Sequence, residues 1–204
     1  MKLRIALAVC LALAAIPAMA DDIYDNGPIS GVSNSWTINL GFIVSDTFTV
    51  GAGGATITGL TFGAWLFPGD TLQSAEISIT SSEFGGTTYF DSVVNFTQSG
   101  CSLNFFGFEV CTETGAFDGP RLSGGSYWLN LQNARANTGD PVYWDENSGQ
   151  SLASNDSEGT IPSEAFTVLG TTSGTGGTVP EPSSIMLLAS GALGLGAVLR
   201  RRRF

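Results

Sequence analysis

Between Trp36 and Leu169 the chain consists of short runs rich in Thr, Val, Ile and aromatic residues, separated by Gly, Asn, Asp and Ser. The runs favour extended backbone and the separating residues favour turns. This pattern predicts strands at 35–40, 46–50, 56–67, 75–81, 88–97, 107–111, 125–132, 142–144 and 165–169. In the longest, Leu60, Phe62, Ala64 and Leu66 fall on one face and Thr61, Gly63 and Trp65 on the other, the alternation of a sheet with one buried side. No stretch in this region sustains a 3.6-residue period. Turn signals such as Phe67-Pro68-Gly69-Asp70 and Ser123-Gly124-Gly125 complete the picture of an all-β fold: a single antiparallel β-sandwich, jelly-roll-like, over residues 21–169.

The two ends follow a different pattern. Lys2 and Arg4 precede an apolar run at 5–16, and Ala18-Met19-Ala20 is a small-x-small cleavage signature. Residues 1–20 therefore read as a secretory signal peptide, handled by Sec-type export machinery and signal peptidase, with Asp21 as the mature N-terminus. Residues 170–178 lack apolar side chains to bury and read as a flexible Gly/Thr/Ser linker. Val179-Pro180-Glu181-Pro182 follows, then an uncharged stretch at 183–199, then Arg200, Arg201, Arg202 and Arg203. As a helix this stretch covers roughly 26 Å, slightly short of a hydrocarbon core of ~30 Å. Arginine stems reaching into the headgroup layer make up the difference. Basic flanks stay on the cytoplasmic side, so the expected precursor sits in the inner membrane with its body outside and its C-terminus in the cytoplasm. The prolines beside Glu181 keep that tripeptide extended and out of the helix, within reach of a processing enzyme.

The combination of signal peptide, exported body, Val-Pro-Glu-Pro at 179–182, a short membrane helix containing Gly191, Gly194 and Gly196, and a terminal arginine cluster resembles a PEP-CTERM sorting-domain protein. The resemblance covers residues 179–204. It implies processing by an exosortase, a membrane-embedded cysteine transpeptidase-like enzyme, with Pro180, Glu181 and Pro182 as its recognition handle. It also implies a bacterium that exports polysaccharide, and a mature protein released or passed to a surface acceptor.

Charge and composition narrow what the body can do. Between Asp21 and Glu181 eighteen acidic residues face only Arg121 and Arg135, a balance of −16 that disfavours nucleic acid and anionic lipid as partners. A dispersed acidic surface of this kind acts mainly as a solubility device. The chain has no histidine, so a Ser-His-Asp or Cys-His nucleophile and a histidine-ligated metal centre cannot be built. Carboxylate-pair chemistry stays open, yet no spacing singles out two acids. Cys10 lies in the signal peptide, which leaves Cys101 and Cys111 as an even pair in an oxidising compartment, expected as a disulfide that staples the 99–114 hairpin or loop.

Two aromatic-polar clusters stand out in the body. In 126–133, alternation places Tyr127, Leu129 and Leu131 on one face and Trp128, Asn130 and Gln132 on the other, where an indole and amides could hold a sugar ring. In 140–149, Trp144 with Asp145 could meet a glycan, or Asp145, Glu146 and Asn147 could ligate calcium through oxygen. Against both stands a structural reading in which the tryptophans fill the core and Asp-Glu-Asn-Ser-Gly is turn chemistry. Asn95-Phe96-Thr97 and Asn155-Asp156-Ser157 match a glycosylation triplet and are taken as chance matches in a bacterial chain. The expected function is an exported, non-catalytic surface or extracellular-matrix protein that binds polysaccharide and needs no cofactor. The alternative is a secreted carbohydrate-active enzyme with its carboxylates in a sheet groove.

Overall fold

A computed structural model describes residues 20–172, and among them there are strands and no helix. The expected sorting segment, membrane helix and arginine stop, and the signal peptide up to residue 19, lie outside the described residues. The chain divides into two compact units, Met1–Ser173 and Gly174–Phe204, and all the described strands belong to the first.

The strands are β1 (Asp21–Asp25), β2 (Ser35–Thr37), β3 (Ile43–Val50), β4 (Ala55–Leu66), β5 (Leu72–Ser82), β6 (Gly85–Asn95) and β7 (Thr97–Leu103). After them come β8 (Glu109–Ala116), β9 (Arg121–Leu122), β10 (Gly125–Ala136), β11 (Tyr143–Asp145), β12 (Ala153–Asn155), β13 (Gly159–Ile161) and β14 (Phe166–Thr172). One sheet runs β1-β14-β4-β11-β2, with β8 and β9 also paired to β4 and β7 paired to β8. The other runs β13-β12-β3-β10-β5-β6. The all-β class expected from the sequence is what the structure shows. Both sheets contribute to one apolar core, with Leu60, Phe62, Trp144 and Phe166 from the first and Phe48, Ile77, Leu129 and Leu131 from the second.

Alternation along β4 and β10 sets their faces, and bulges break it. Leu60, Phe62, Ala64 and Leu66 enter the core as the period-2 pattern requires. Ile57 enters it too, although it has the opposite parity, because β14 pairs Gly170 with Ile57 and Leu169 with Gly59, so that Thr58 is an extra residue. Likewise Leu131 and Ala134 both face inward, because the β10–β5 register slips between Gln132 and Arg135 around Asn133, whose φ is +50°.

Two of the boundaries that differ from the sequence expectation change the layout of the fold. The strand expected at 88–97 ends at Asn95, and Thr97 opens β7 in the other sheet. Phe96 marks this crossing and packs edge-on against Phe62 at 5.2 Å, an apolar anchor that its neighbours' strand propensity concealed. The linker expected from residue 170 starts later, since Gly170, Thr171 and Thr172 continue β14 against Ile57, Thr56 and Ala55. Gly170 lies so close to Thr56 and Ile57 that a side chain there has no room, which makes it a packing residue rather than a hinge. Cys101 and Cys111 form the expected disulfide and tie β7 to β8, with Gly100 at φ +61° absorbing the extra residue opposite β8.

Candidate functional site

The second sequence cluster is divided by the strand that carries it. Trp144 points into the core, 0% exposed, donates from Nε1 to the carbonyl of Ala165 at 3.0 Å, and meets Phe62 and Phe166 edge-on. Trp144 therefore presents no face to a glycan. Its neighbour Asp145 points to the opposite side of the sheet, where its carboxylate accepts from the amides of Ser30 (2.6 Å) and Gly31 (3.0 Å) and from Trp65 Nε1 (2.6 Å). Glu146 accepts from Trp36 Nε1 at 3.2 Å. Asn147 donates to the carbonyl of Asn26 and accepts from the amide of Gly149, both at 2.8 Å. Successive strand residues face opposite ways, so Asp145 and Glu146 do not converge on one cation. Among the described residues no group of three or more acidic, cysteine or histidine side chains could hold a metal ion.

The first cluster is also largely committed to structure. Tyr127, Leu129 and Leu131 face the core as the alternation predicts. On the outer face Asn130 is buried, with Oδ1 accepting from Ser45 Oγ (2.6 Å) and the amide of Phe84 (3.2 Å). Its Nδ2 donates to Thr80 Oγ1 (2.9 Å) and Ser78 Oγ (3.1 Å). Both ends of the amide are engaged, and nothing is left for a sugar hydroxyl. Trp128 beside it is half-buried, and Gln132 donates to Glu76 at 2.7 Å.

Several acids that composition assigns to the surface are buried. Asp46 reaches between the sheets from β3, accepting from the amide of Glu164 at 2.8 Å, and burial pushes its carboxyl up to about 6 against the hydrogen bonds that oppose the shift. Glu164 is 0% exposed with neither carboxyl oxygen hydrogen-bonded, and burial together with Asp46, Glu146 and Asp145 raises its pKa. Burial likewise pushes Glu113 up to about 8; it sits opposite Phe62 in the β4–β8 pair and both its oxygens lack partners. All three carboxyl groups are sealed from solvent.

Among the described residues the most exposed apolar feature is the tip of the β7–β8 hairpin, Leu103-Asn104-Phe105-Phe106-Gly107-Phe108. Phe105 is 98% exposed, while Phe106 stacks on Trp65 at 5.6 Å with 25° between the ring planes. The turn is held from within: Asn104 Oδ1 accepts from the amides of Phe106 and Phe108, both at 3.0 Å, and Asn104 N donates to the carbonyl of Phe108 at 2.8 Å. On one side of Phe106 lies a cleft of about 460 Å³ bounded by Val32, Leu103 and Asn104. On the other lies one of about 270 Å³ bounded by Asn34, Phe108 and Tyr143. Sequence reasoning passed over this tip because it assigns turns by polar residues. The available signal was a turn containing three phenylalanines.

Outside the body, residues 178–203 match the family model of the PEP-CTERM protein-sorting motif. The chain carries a PEP-CTERM sorting domain. The motif supports export and exosortase sorting, and it implies a membrane-anchored precursor. Within the matched range fall Pro180, Glu181 and Pro182 and the arginines Arg200, Arg201, Arg202 and Arg203. No curated protein matches the chain. The PEP-CTERM match stops short of the body, so only the body's own residues bear on its role.

Proposed function

We propose that this PEP-CTERM protein is a non-catalytic surface or extracellular-matrix component whose body, a jelly-roll-like β-sandwich, binds polysaccharide after its tail has been removed. The observation that carries the reading is the sorting motif at 178–203 on a body with an uncharged aromatic surface feature. Export through a cleaved signal peptide is supported by β1, which begins at Asp21, the residue that cleavage after Ala20 would expose. The sandwich reading is supported by a single core shared by two sheets, and the jelly-roll-like one by a chain that passes repeatedly from one sheet to the other.

A non-catalytic role is favoured over glycoside hydrolysis by the placement of the acids. Hydrolysis requires two carboxyl groups about 5 to 9.5 Å apart in a cleft. A cleft of about 920 Å³ beside β5 and β10 has Glu76 as its one carboxylate, and Glu76 accepts hydrogen bonds from Gln132 and Asn133. The acids with raised pKa values lie in the interior instead.

Membrane fractionation of cells expressing the full chain tests the sorting half of this proposal. Wild-type protein should leave the inner-membrane fraction, and Glu181→Ala should accumulate there as the uncleaved precursor, with its mature form reduced at least tenfold. Equal release of both proteins would contradict the role given to Pro180, Glu181 and Pro182.

A further inference from the structure

We infer that the two clefts flanking Phe106 bind successive rings of an uncharged glycan strand, with the hairpin tip as the wedge between them. This rests on the polysaccharide-binding reading and gives it a site. Exposed phenyl rings are unfavourable on a soluble domain unless they meet a partner, and Phe105 is almost wholly exposed. The turn and the Phe106 ring are also held in place. The Asn104 hydrogen bonds fix the turn, Trp65 backs Phe106, and the Cys101–Cys111 bond clamps the strands that lead into it. A ligand therefore meets a surface that is already ordered, which removes much of the entropic cost of binding.

The chemistry of the lining selects the ligand class. Aromatic faces suit the apolar face of a sugar ring, and a few polar groups at the edge suit its hydroxyls. Ser33, Asn34 and Ser35 supply such groups on the Tyr143 side, and Ser30 and Ser102 line the other cleft. No residue lining either cleft is charged, although the body as a whole is strongly acidic. With no cation in the lining and an acidic body around it, neither a uronate polymer nor an anionic lipid is matched. Burying the serine and asparagine groups in lipid tails would leave them without partners, which favours glycan over membrane.

The test titrates the full chain with three neutral glucans, laminarin, dextran and cellohexaose, with polygalacturonate as the charged comparison, and follows tryptophan fluorescence and mobility in glycan-containing gels. At least one neutral glucan should bind, with Phe105→Ala and Phe106→Ala each weakening it tenfold or more. Tyr89→Ala, an exposed ring on β6, should change it less than twofold. Phe105→Ala should melt with the wild type because its ring touches little, so a loss of binding there is not a loss of fold. Neutral-glucan binding undiminished in both tip variants would overturn this site and leave polysaccharide binding standing. No neutral-glucan binding, or binding of polygalacturonate alone, would overturn the ligand class. So would binding to phosphatidylcholine vesicles, or self-association, that Phe105→Ala abolishes in the absence of glucan binding. None of these outcomes bears on the processing of the tail, which is read separately by fractionation.

Discussion

Trp144→Ala should lower the stability of the body by about 4 kcal/mol, measured by denaturant unfolding at constant pH. The indole is the largest fully buried side chain among the described residues, it lies between Phe62 and Phe166, and its Nε1 satisfies the carbonyl of Ala165. Truncation would leave a cavity between the sheets and a buried carbonyl without its donor, two costs that reinforce each other. Trp128→Ala, at a half-buried outer position, should cost less than half as much. Comparable losses at the two sites would mean that Trp144 is not the centre of the core.

Glu113 should make the protein more stable in mild acid than in mild alkali. Folding raises its carboxyl from an ordinary 4.5 to about 8, so between those values the native chain holds a proton that the unfolded chain has released. Unfolding then releases that proton, and stability falls as pH rises through the window. The contribution is complete below about 4.5, declines towards 8 and is flat beyond. Each unit of displacement is worth about 1.4 kcal/mol, and with water relaxing around the ionised group the whole loss should be about 3 kcal/mol. Asp46, raised from 3.8 to about 6, adds a loss of the same sign at lower pH. Glu113→Gln should flatten the slope, leaving the losses that Asp46 and Glu164 contribute with the same sign, which thermal melts from about pH 4 to 9 would reveal. A wild-type melting temperature that rises from about pH 5 to 8 would contradict the protonated, buried state.

What could be read in advance follows from how far each signal extends along the chain. Period 2 is a local signal, so the inward faces of β4 and β10 were legible at Leu60, Phe62, Leu129 and Leu131. A bulge is set by pairing with a distant strand, so the inward turn of Ile57 and Ala134 was not. Alternation also separates two faces without saying which is covered. That is why Trp144 and Trp128 looked alike as ligand candidates, although one fills the core and the other lies outside it. Composition counted Asp46, Glu113, Asp145 and Glu164 among solubilising charges, and burial shows otherwise, because enclosure depends on the second sheet and the loop at Ser30 and Gly31. The short strands β1, β9, β12 and β13 take their form from the neighbours they pair with and carry little pattern of their own. The sorting segment is the reverse case. Its Pro-Glu-Pro tripeptide, apolar stretch and arginines follow one another directly along the chain, so the sequence displays them fully.

Intact-mass analysis of the protein recovered from its native envelope tests the central claim most directly. An exosortase-sorted protein should begin at Asp21 and have lost the apolar and arginine residues beyond Pro180-Glu181-Pro182. Mature material whose mass still extends to Phe204 would contradict it.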